Sequence, residues 1–541
     1  MLWLPRLLHV DVQSNHNANK PAQRNLFIMK VIIRLLAATA VGFAIAQCSA
    51  ADGPPRGEML CDHVVVLDGE GKLLPWTSFD SVIVRSMNYI KSCPTVPTKF
   101  GDDPWYLVTS KLTADAKFKR NQNCQGSHAY WGVETLIRYY AYSGDEDAIR
   151  PVRLILERIM NYHTPSDWNW PNVPRTQDNS PDGEYTDEVG EPDKMALVGV
   201  AYLRFYKLTG DEKYLVAARA IAKSVALRVT TGDATNSPLP FRVNMKTGRI
   251  MDAYTSHMIA PVLFFHEMIQ MDMREAGLYQ SKRDLIWNWI VEFPIANHEW
   301  SGYYEDVKGS MANKNQQNPM ETARFILRNP ALDPDASSHV ERLLDWVKHR
   351  FGQTKRFGAT SIREQDGCFF EMSSHTARYA SIVARKFGVS QDPKDREEAR
   401  ASFALATYSS YSKYSRGENS VNYTGIGYAN PWFTDSYFDY LSHLLDGMAE
   451  LPEMAPVDSD HIIGSTSVIN KVKYQPGRIE YTAYESPGTE ILRLSFIPRA
   501  VTVEGKPLPA TGWTYGAYRG VPGVLRISRE KGGRNVTISR E

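Results

Sequence analysis

Carboxylates, imidazoles, amides and aromatic rings gather in six stretches of this chain, each just ahead of an apolar helical segment. The densest holds His298, Trp300, Tyr303, Tyr304, Glu305, Asp306, Gln316, Gln317 and Glu321. Another carries Trp168, Trp170, Asp182, Glu184, Tyr185, Glu191 and Asp193, and a short one Asp252, Tyr254 and His257. The remaining three supply His128 and Trp131; Arg363, Glu364, Gln365, His375 and Arg378; and Asn419, Asn422, Tyr423, Tyr428 and Trp432. These are residue types that grip sugars. Indoles and phenols stack on the apolar faces of the rings, while amides and charged groups meet the hydroxyls. The expected binding set is His128, Trp131, Trp168, Trp170, Tyr185, Tyr254, His257, Trp300, Tyr304, Gln317, Arg378, Asn422 and Trp432.

Cleaving a glycosidic bond takes two carboxyl groups, one protonated for the leaving oxygen and one to attack or to activate water. Glu305 and Asp306 stand in the aromatic run YYEDV, where desolvation raises a carboxyl pKa. Asp193, on a different loop at the opening of a helix, is the expected partner, with Glu364 in reserve. The same Asp after Pro192 also suits the first turn of any helix. Elimination on a uronic acid asks for something else, a Tyr or His base and a cation or amide at the substrate carboxylate. Tyr304, His257, His375 and Arg378 offer these, and His375 and Arg378 lie one helical turn apart. The chain has no Gly-rich phosphate loop, nucleophile elbow, HExxH run or metal-spaced cysteine pair, so neither cofactor nor metal is expected.

Helical hairpins must position these groups. Residues 195–208 are apolar nearly all round, whereas 215–225 carry Leu215, Ala218, Ile221, Ala222 and Val225 on one face only. Gly210 stops the first helix and Asp211 caps the second. The pattern of a fully covered inner helix and a half-wet outer one recurs at 130–162, 253–292, 320–351 (broken at Asn329-Pro330) and 374–411. Breaks are expected at Gly277 and Gly388. A lone outer helix at 79–90 and a lone inner one at 432–448 make six hairpins. Inner-to-outer turns are short and outer-to-inner connections long, so the long ones emerge together where the inner helices begin.

The turn signature Leu208-Thr209-Gly210-Asp211-Glu212-Lys213-Tyr214-Leu215, followed by Ala217-Ala218, resembles that of the six-hairpin glycosidase superfamily, including secreted bacterial members. Trp168-Asn169-Trp170-Pro171, Glu191-Pro192-Asp193-Lys194, Tyr303-Tyr304-Glu305-Asp306-Val307 and Ser374-His375-Thr376-Ala377-Arg378 add to the likeness, which spans about 78–451. It implies a mainly α (α/α)6 toroid and a choice among hydrolases, polysaccharide lyases, sugar epimerases and phosphorylases, which the fold does not make.

The 541 residues carry a net charge of +1, which gives no support for a nucleic-acid partner. After a polar segment, Met29-Lys30, an apolar run at 35–46 and Cys48-Ser49-Ala50 form a secretory leader, so residues 1–50 are expected to be removed and the protein secreted or periplasmic. Residues 51–77 then read as an extension with a short hairpin, 78–451 as the toroid and 452–541, where the period turns to alternation, as a small β-sandwich-like domain. Cys61, Cys93, Cys124 and Cys368 are the thiols left for an oxidising compartment. The expectation is a monomeric glycoside hydrolase acting on a poly- or oligosaccharide, free of the membrane once the leader is removed. The alternatives are a lyase or epimerase, and a glycan-binding protein without catalysis.

Overall fold

A computed structural model describes residues 57–61, 63–109, 125–176, 183–271, 274–303, 313–410 and 432–540; the side chains of residues 368–370 lie outside that description. Twelve α-helices stand among the described residues: α1 Phe79–Lys91, α2 Gln125–Ser143, α3 Ile149–Met160, α4 Pro192–Thr209, α5 Glu212–Ala226, α6 Ile259–Gln270, α7 Ala276–Ile290, α8 Gln317–Arg328, α9 Ala336–Phe351, α10 Ser373–Ser390, α11 Pro393–Thr407 and α12 Tyr440–Gly447. None is long and apolar enough to cross a membrane.

The even-numbered helices form the inner ring. Each packs on the next, from α2 through α4, α6, α8 and α10 to α12, and α12 returns to α2. Closure of that ring, with the outer helices around it, is the (α/α)6 toroid. Its sixth hairpin joins the two ends of the ring, α12 with α1. Burial follows the sequence pattern closely. In α4 every residue from Pro192 to Leu208 except Tyr206 is buried, whereas α5 buries Tyr214, Leu215, Ala218, Ile221, Ala222 and Val225 along one face. Between them Gly210 adopts a left-handed φ of 74°, and the Asp211 carboxylate accepts the Lys213 amide.

Two of the expected breaks are not breaks. Gly277 lies in the first turn of α7, and Gly388 lies inside α10, which continues to Ser390 and ends on a left-handed Gln391. The Glu450 carboxylate lies close to Gly388: a Cβ there would come within 2.6 Å of it. The helix expected from 253 begins only at Ile259. The preceding residues are drawn into a three-stranded antiparallel sheet, Val189–Gly190, Arg242–Asn244 and Ile250–Asp252, which ties the second long connection to the third. A bridge from Asn315 to Gln365 ties the fourth to the fifth. The long connections are therefore braced against one another at the inner-helix starts.

Beyond the short turn Pro452–Met454 the chain forms a β-sandwich. Its strands are β1 His461–Ser465, β2 Ile469–Gln475, β3 Arg478–Ala483, β4 Gly488–Arg493, β5 Ala500–Val503, β6 Lys506–Pro507, β7 Trp513–Tyr518, β8 Val521–Arg529 and β9 Asn535–Ser539. They make two antiparallel sheets, ordered β1-β4-β8-β7 and β2-β3-β9-β5-β6. Alternation is plain in β3, where Ile479, Tyr481 and Ala483 are buried, and Glu490 and Arg529 form an ion pair enclosed between the sheets. Among the described cysteines, Cys93 is a buried free thiol whose pKa burial pushes up to about 12.

Candidate active site at the inner-helix starts

Asp193 is held in place by its own segment. Glu191 is extended and precedes α4, Pro192 fixes the first helical φ, and Asp193 falls in the first turn, fully buried. Its Oδ2 accepts the Nδ1–H of His257 at 2.8 Å and lies 3.5 Å from the Lys194 ammonium; its Oδ1 has no partner among the described residues. Burial pushes the carboxyl pKa up, but Lys194 and His257 outweigh it and the net shift is downward. Asp193 is thus an ionised carboxylate. Lys194 also donates to the Tyr303 carbonyl at 3.1 Å, sits 4.5 Å above the Tyr303 ring and pairs with Glu191 at 2.8 Å, whose other oxygen takes Arg242 at 3.1 Å. The Tyr303 ring meets His257 edge-on at 4.7 Å, and its hydroxyl accepts the Gln317 amide.

That arrangement fixes the His257 tautomer. A carboxylate only accepts, so Nδ1 carries a proton, and the tautomer this leaves has its lone pair on Nε2. His257, Gln317 and Trp131 border a cavity of about 580 Å³ that residues of all six inner helices line.

His375 and Arg378, one turn apart on α10, form a second cluster. Arg378 is fully buried beneath the funnel, 5.2 Å over the Trp131 ring. Its guanidinium donates to Asp439, to Gln316 at 3.2 Å and to His375 Nδ1 at 3.0 Å, and its Nε lies 3.2 Å from Glu321. A guanidinium has no acceptor, so His375 Nδ1 must accept and the ring proton sits on Nε2. That Nε2–H has no partner among the described residues. Burial first, and Arg378 second, hold the His375 pKa well below the usual range, so the ring is neutral. His375 is therefore a donor looking for an acceptor oxygen, and it is unsuited to take a proton in the elimination reading. His128 likewise has an unpartnered Nε2, with Nδ1 on the Thr434 hydroxyl and a pKa that burial lowers to about 3.

His375, Asp435 and Asp439 bring possible metal-ligand atoms within 4.8 Å of one another. They do not fit a cation. Arg378 occupies the His375 Nδ1 and one Asp439 oxygen, His443 takes the other at 2.7 Å, and a proton blocks the His375 Nε2.

The aromatic walls expected from the sequence divide in two. Trp300, Trp170, Tyr185 and Tyr254 lie in the core, so they offer no face for stacking. They pin the long connections: Tyr185 donates to the Leu107 carbonyl at 3.1 Å, Tyr254 to that of Glu299 at 2.7 Å, and Arg228 covers Trp170 at 4.9 Å. Trp131 is buried under Arg378 and meets His443 edge-on. Trp168 is half-buried with Arg175 4.7 Å over its ring, and Trp432 is half-buried as well. Glu364 is buried on the strand Arg363–Gln365. Tyr304, Glu305, Asp306 and Asn422 lie outside the described residues. The structure adds Lys194, Tyr303, Asp439 and His443. The four-residue spacing of Asp439 and His443 on the last inner segment was a readable signal for the latter pair.

The (α/α)6 toroid is a fold that the chain shares with solved structures at low sequence identity. Among solved structures, the chain is similar to a D-mannose isomerase at 10% identity, over 70% of this chain and 97% of that one, with a TM-score of 0.51. It is also similar to the cellobiose 2-epimerase of Spirochaeta thermophila DSM 6192 at 10% identity, over 64% and 90%, with a TM-score of 0.50. An unsaturated glucuronyl hydrolase specific for heparin aligns at 12% identity over 69% and 97%, with a TM-score of 0.46. No protein-family profile and no curated protein matches the chain by sequence.

Proposed function

We propose that this protein is a carbohydrate-active enzyme, exported after Ala50, that takes a proton from its sugar substrate with His257. The observation that carries the reading is the Asp193–His257 pair at 2.8 Å, which orients the ring and leaves Nε2 as a base at the cavity. His375 Nε2–H, unpartnered and buried, is suited to hold a substrate oxygen as charge develops on it. Proton abstraction from the carbon next to a carbonyl opens the way to isomerisation or epimerisation; from the carbon next to a uronate carboxyl group it leads to elimination, a C=C bond forming as the glycosidic oxygen leaves the adjacent carbon. The solved structures with the same fold include a mannose isomerase and a cellobiose epimerase, which supports a sugar as substrate.

Glycoside hydrolysis is the second reading, and one observation favours it. Asp193 is ionised with Oδ1 unpartnered, the state of a carboxylate that attacks or activates water. The acid would then come from Glu305 or Asp306.

The deciding experiment incubates the purified protein with a panel of reducing sugars and glycans in deuterated water. Deuterium entering a carbon-bound position, or an unsaturated product, is the expected result, and His257→Gln should abolish it. New reducing ends without carbon-bound deuterium would move the assignment to hydrolysis. Binding with no product of any kind would end the enzymatic reading.

A further inference from the structure

At the other end of the barrel, where the inner helices finish, one carboxylate serves four guanidiniums. Asp446 of α12 lies 2.5 Å from Arg324, 2.9 Å from Arg328, 2.9 Å from Arg385 and 3.5 Å from Arg138. Arg324 has a second carboxylate in Glu321, at 3.1 Å, and Arg138 has one in Glu134, at 2.9 Å. Arg328 and Arg385 make no second close ion pair among the described residues, and both engage the same oxygen, Oδ1; Arg385 also feels the Glu450 carboxylate from further away. The Arg385 Nε has no hydrogen-bond partner among the described residues.

Both arginines line the cavity that begins under His257 and reaches β1 and the turn after it. Their side chains stay about a quarter exposed, at 25% and 23%. The acids lining the same space are committed elsewhere: Glu267 to Arg204, Glu485 to Lys207, Glu450 to Arg519 and Glu321 to Arg324 and Arg378. Positive charge is in local excess. The Arg328 pKa falls to about 9, through burial first and the neighbouring guanidiniums next, against the pull of Asp446. Burial also raises the pKa of Glu450, against the pull of Arg519 and Arg385.

We infer that Arg328 and Arg385 form a second ligand site, at the closed end of the same cavity that His257 borders, for a small molecule bearing an oxyanion: a phosphate, sulfate or carboxylate group. A planar guanidinium presents paired donors that match such a group, and two of them with one shared counter-ion leave those donors unspent. The competing account is that these cations only neutralise the negative ends of six converging helices. That account explains cations at the helix ends; it does not require two arginines to divide one carboxylate oxygen inside a cavity.

Titration calorimetry of the full chain with inorganic phosphate, inorganic sulfate and glucuronate tests the site. Saturable binding of at least one is expected, weakened at least about tenfold in the double variant Arg328→Gln/Arg385→Gln. Because that variant disturbs Asp446, Thr466→Asp is the second arm. It adds a negative charge to an exposed wall position of the cavity and removes no ion pair, and it too should weaken binding. The winning probe distinguishes a phosphate or sulfate ligand from a carboxylate. No saturable binding of any probe, or binding unchanged in both variants, overturns the inference and leaves the arginines to the helix ends.

Discussion

The proton positions around His257 and His375 follow from what their neighbours cannot do: Asp193 cannot donate and Arg378 cannot accept. Replacing Asp193 with Asn offers His257 an amide that can donate as well, so the ring loses its fixed tautomer. The expected result is a fall in kcat on the order of 10²–10⁴ with sugar affinity and fold largely kept, measured by steady-state kinetics and circular dichroism. A merely structural Asp193 would lower the melting temperature and spare kcat. The buried neutral imidazoles make a prediction about pH. His128, His375 and His443 have folded pKa values below the ordinary 6.5, chiefly through burial. Below pH 6.5 the unfolded chain therefore binds protons that the folded one refuses, and stability, complete above 6.5, is lost as pH falls. Each such group contributes a slope of up to about 1.4 kcal/mol per pH unit. Denaturant titrations between pH 7 and 5 should show that decline, and His128→Gln should flatten it. Asp193 acts only lower, its stabilisation being lost below the ordinary carboxyl range near pH 4. What the sequence told of these residues was their type and company. It placed Asp193 at a helix opening and set His375 one turn from Arg378, but the roles depend on hydrogen bonds spanning some sixty residues of chain, which no local pattern encodes.

Helices were the most legible level, because a closed ring of buried helices imposes a pattern on each one. The all-round burial of α4 and the single buried face of α5 are both written in the order of apolar residues. Two glycines misled for opposite reasons. A glycine can end a helix by taking a left-handed φ, as Gly210 does, or it can sit inside one where another group comes close, as Gly388 does against Glu450. Sequence spacing does not separate these cases. The small sheets in the connections were likewise hidden, since strands of two to four residues are too short to show alternation. Inner-helix contact gives a prediction at this scale. A Cβ on Gly199 of α4 would fall 2.2 Å from the Phe264 ring of α6, so the two inner helices could not keep their spacing. Gly199→Ala should cost about 1–3 kcal/mol in chemical denaturation, the usual range for an overfilled core. Gly210→Ala meets nothing within 4 Å, so its cost is the backbone's alone, on the order of 1–2 kcal/mol. If Gly199→Ala proved the milder, the packing of α4 on α6 described here would be wrong.

For the molecule as a whole, the period change after about 452 correctly suggested a β domain, yet alternation could not say what that domain rests on. It rests on the barrel's closed end. Ile462, Ile463 and Val468 belong to the same continuous core as Leu445 and Met448 of the last inner segment. His461 stacks on Tyr142 at 3.9 Å and bonds its carbonyl at 2.8 Å, the Tyr474 hydroxyl donates to the Ala141 carbonyl at 2.5 Å, and Lys207 pairs with Glu485 at 2.7 Å. Arg519 reaches the Glu450 carboxylate at 2.6 Å and the Gly388 carbonyl at 3.0 Å, beside the glycine that the same carboxylate approaches. Two bodies with separate cores and a thin polar contact unfold separately; two that share a core unfold together. Calorimetry of the full chain should therefore give one transition, with calorimetric and van't Hoff enthalpies close to equal. Ending the chain at Leu451 uncovers the apolar floor left by Ile462 and Ile463, and takes Glu485 from Lys207 and Arg519 from Glu450. The truncated toroid should accordingly be insoluble or melt far below the full chain. Two resolved transitions, or a truncated toroid that melts within a few degrees of the whole, would show instead that the β domain is an appendage and that the ring closes without it.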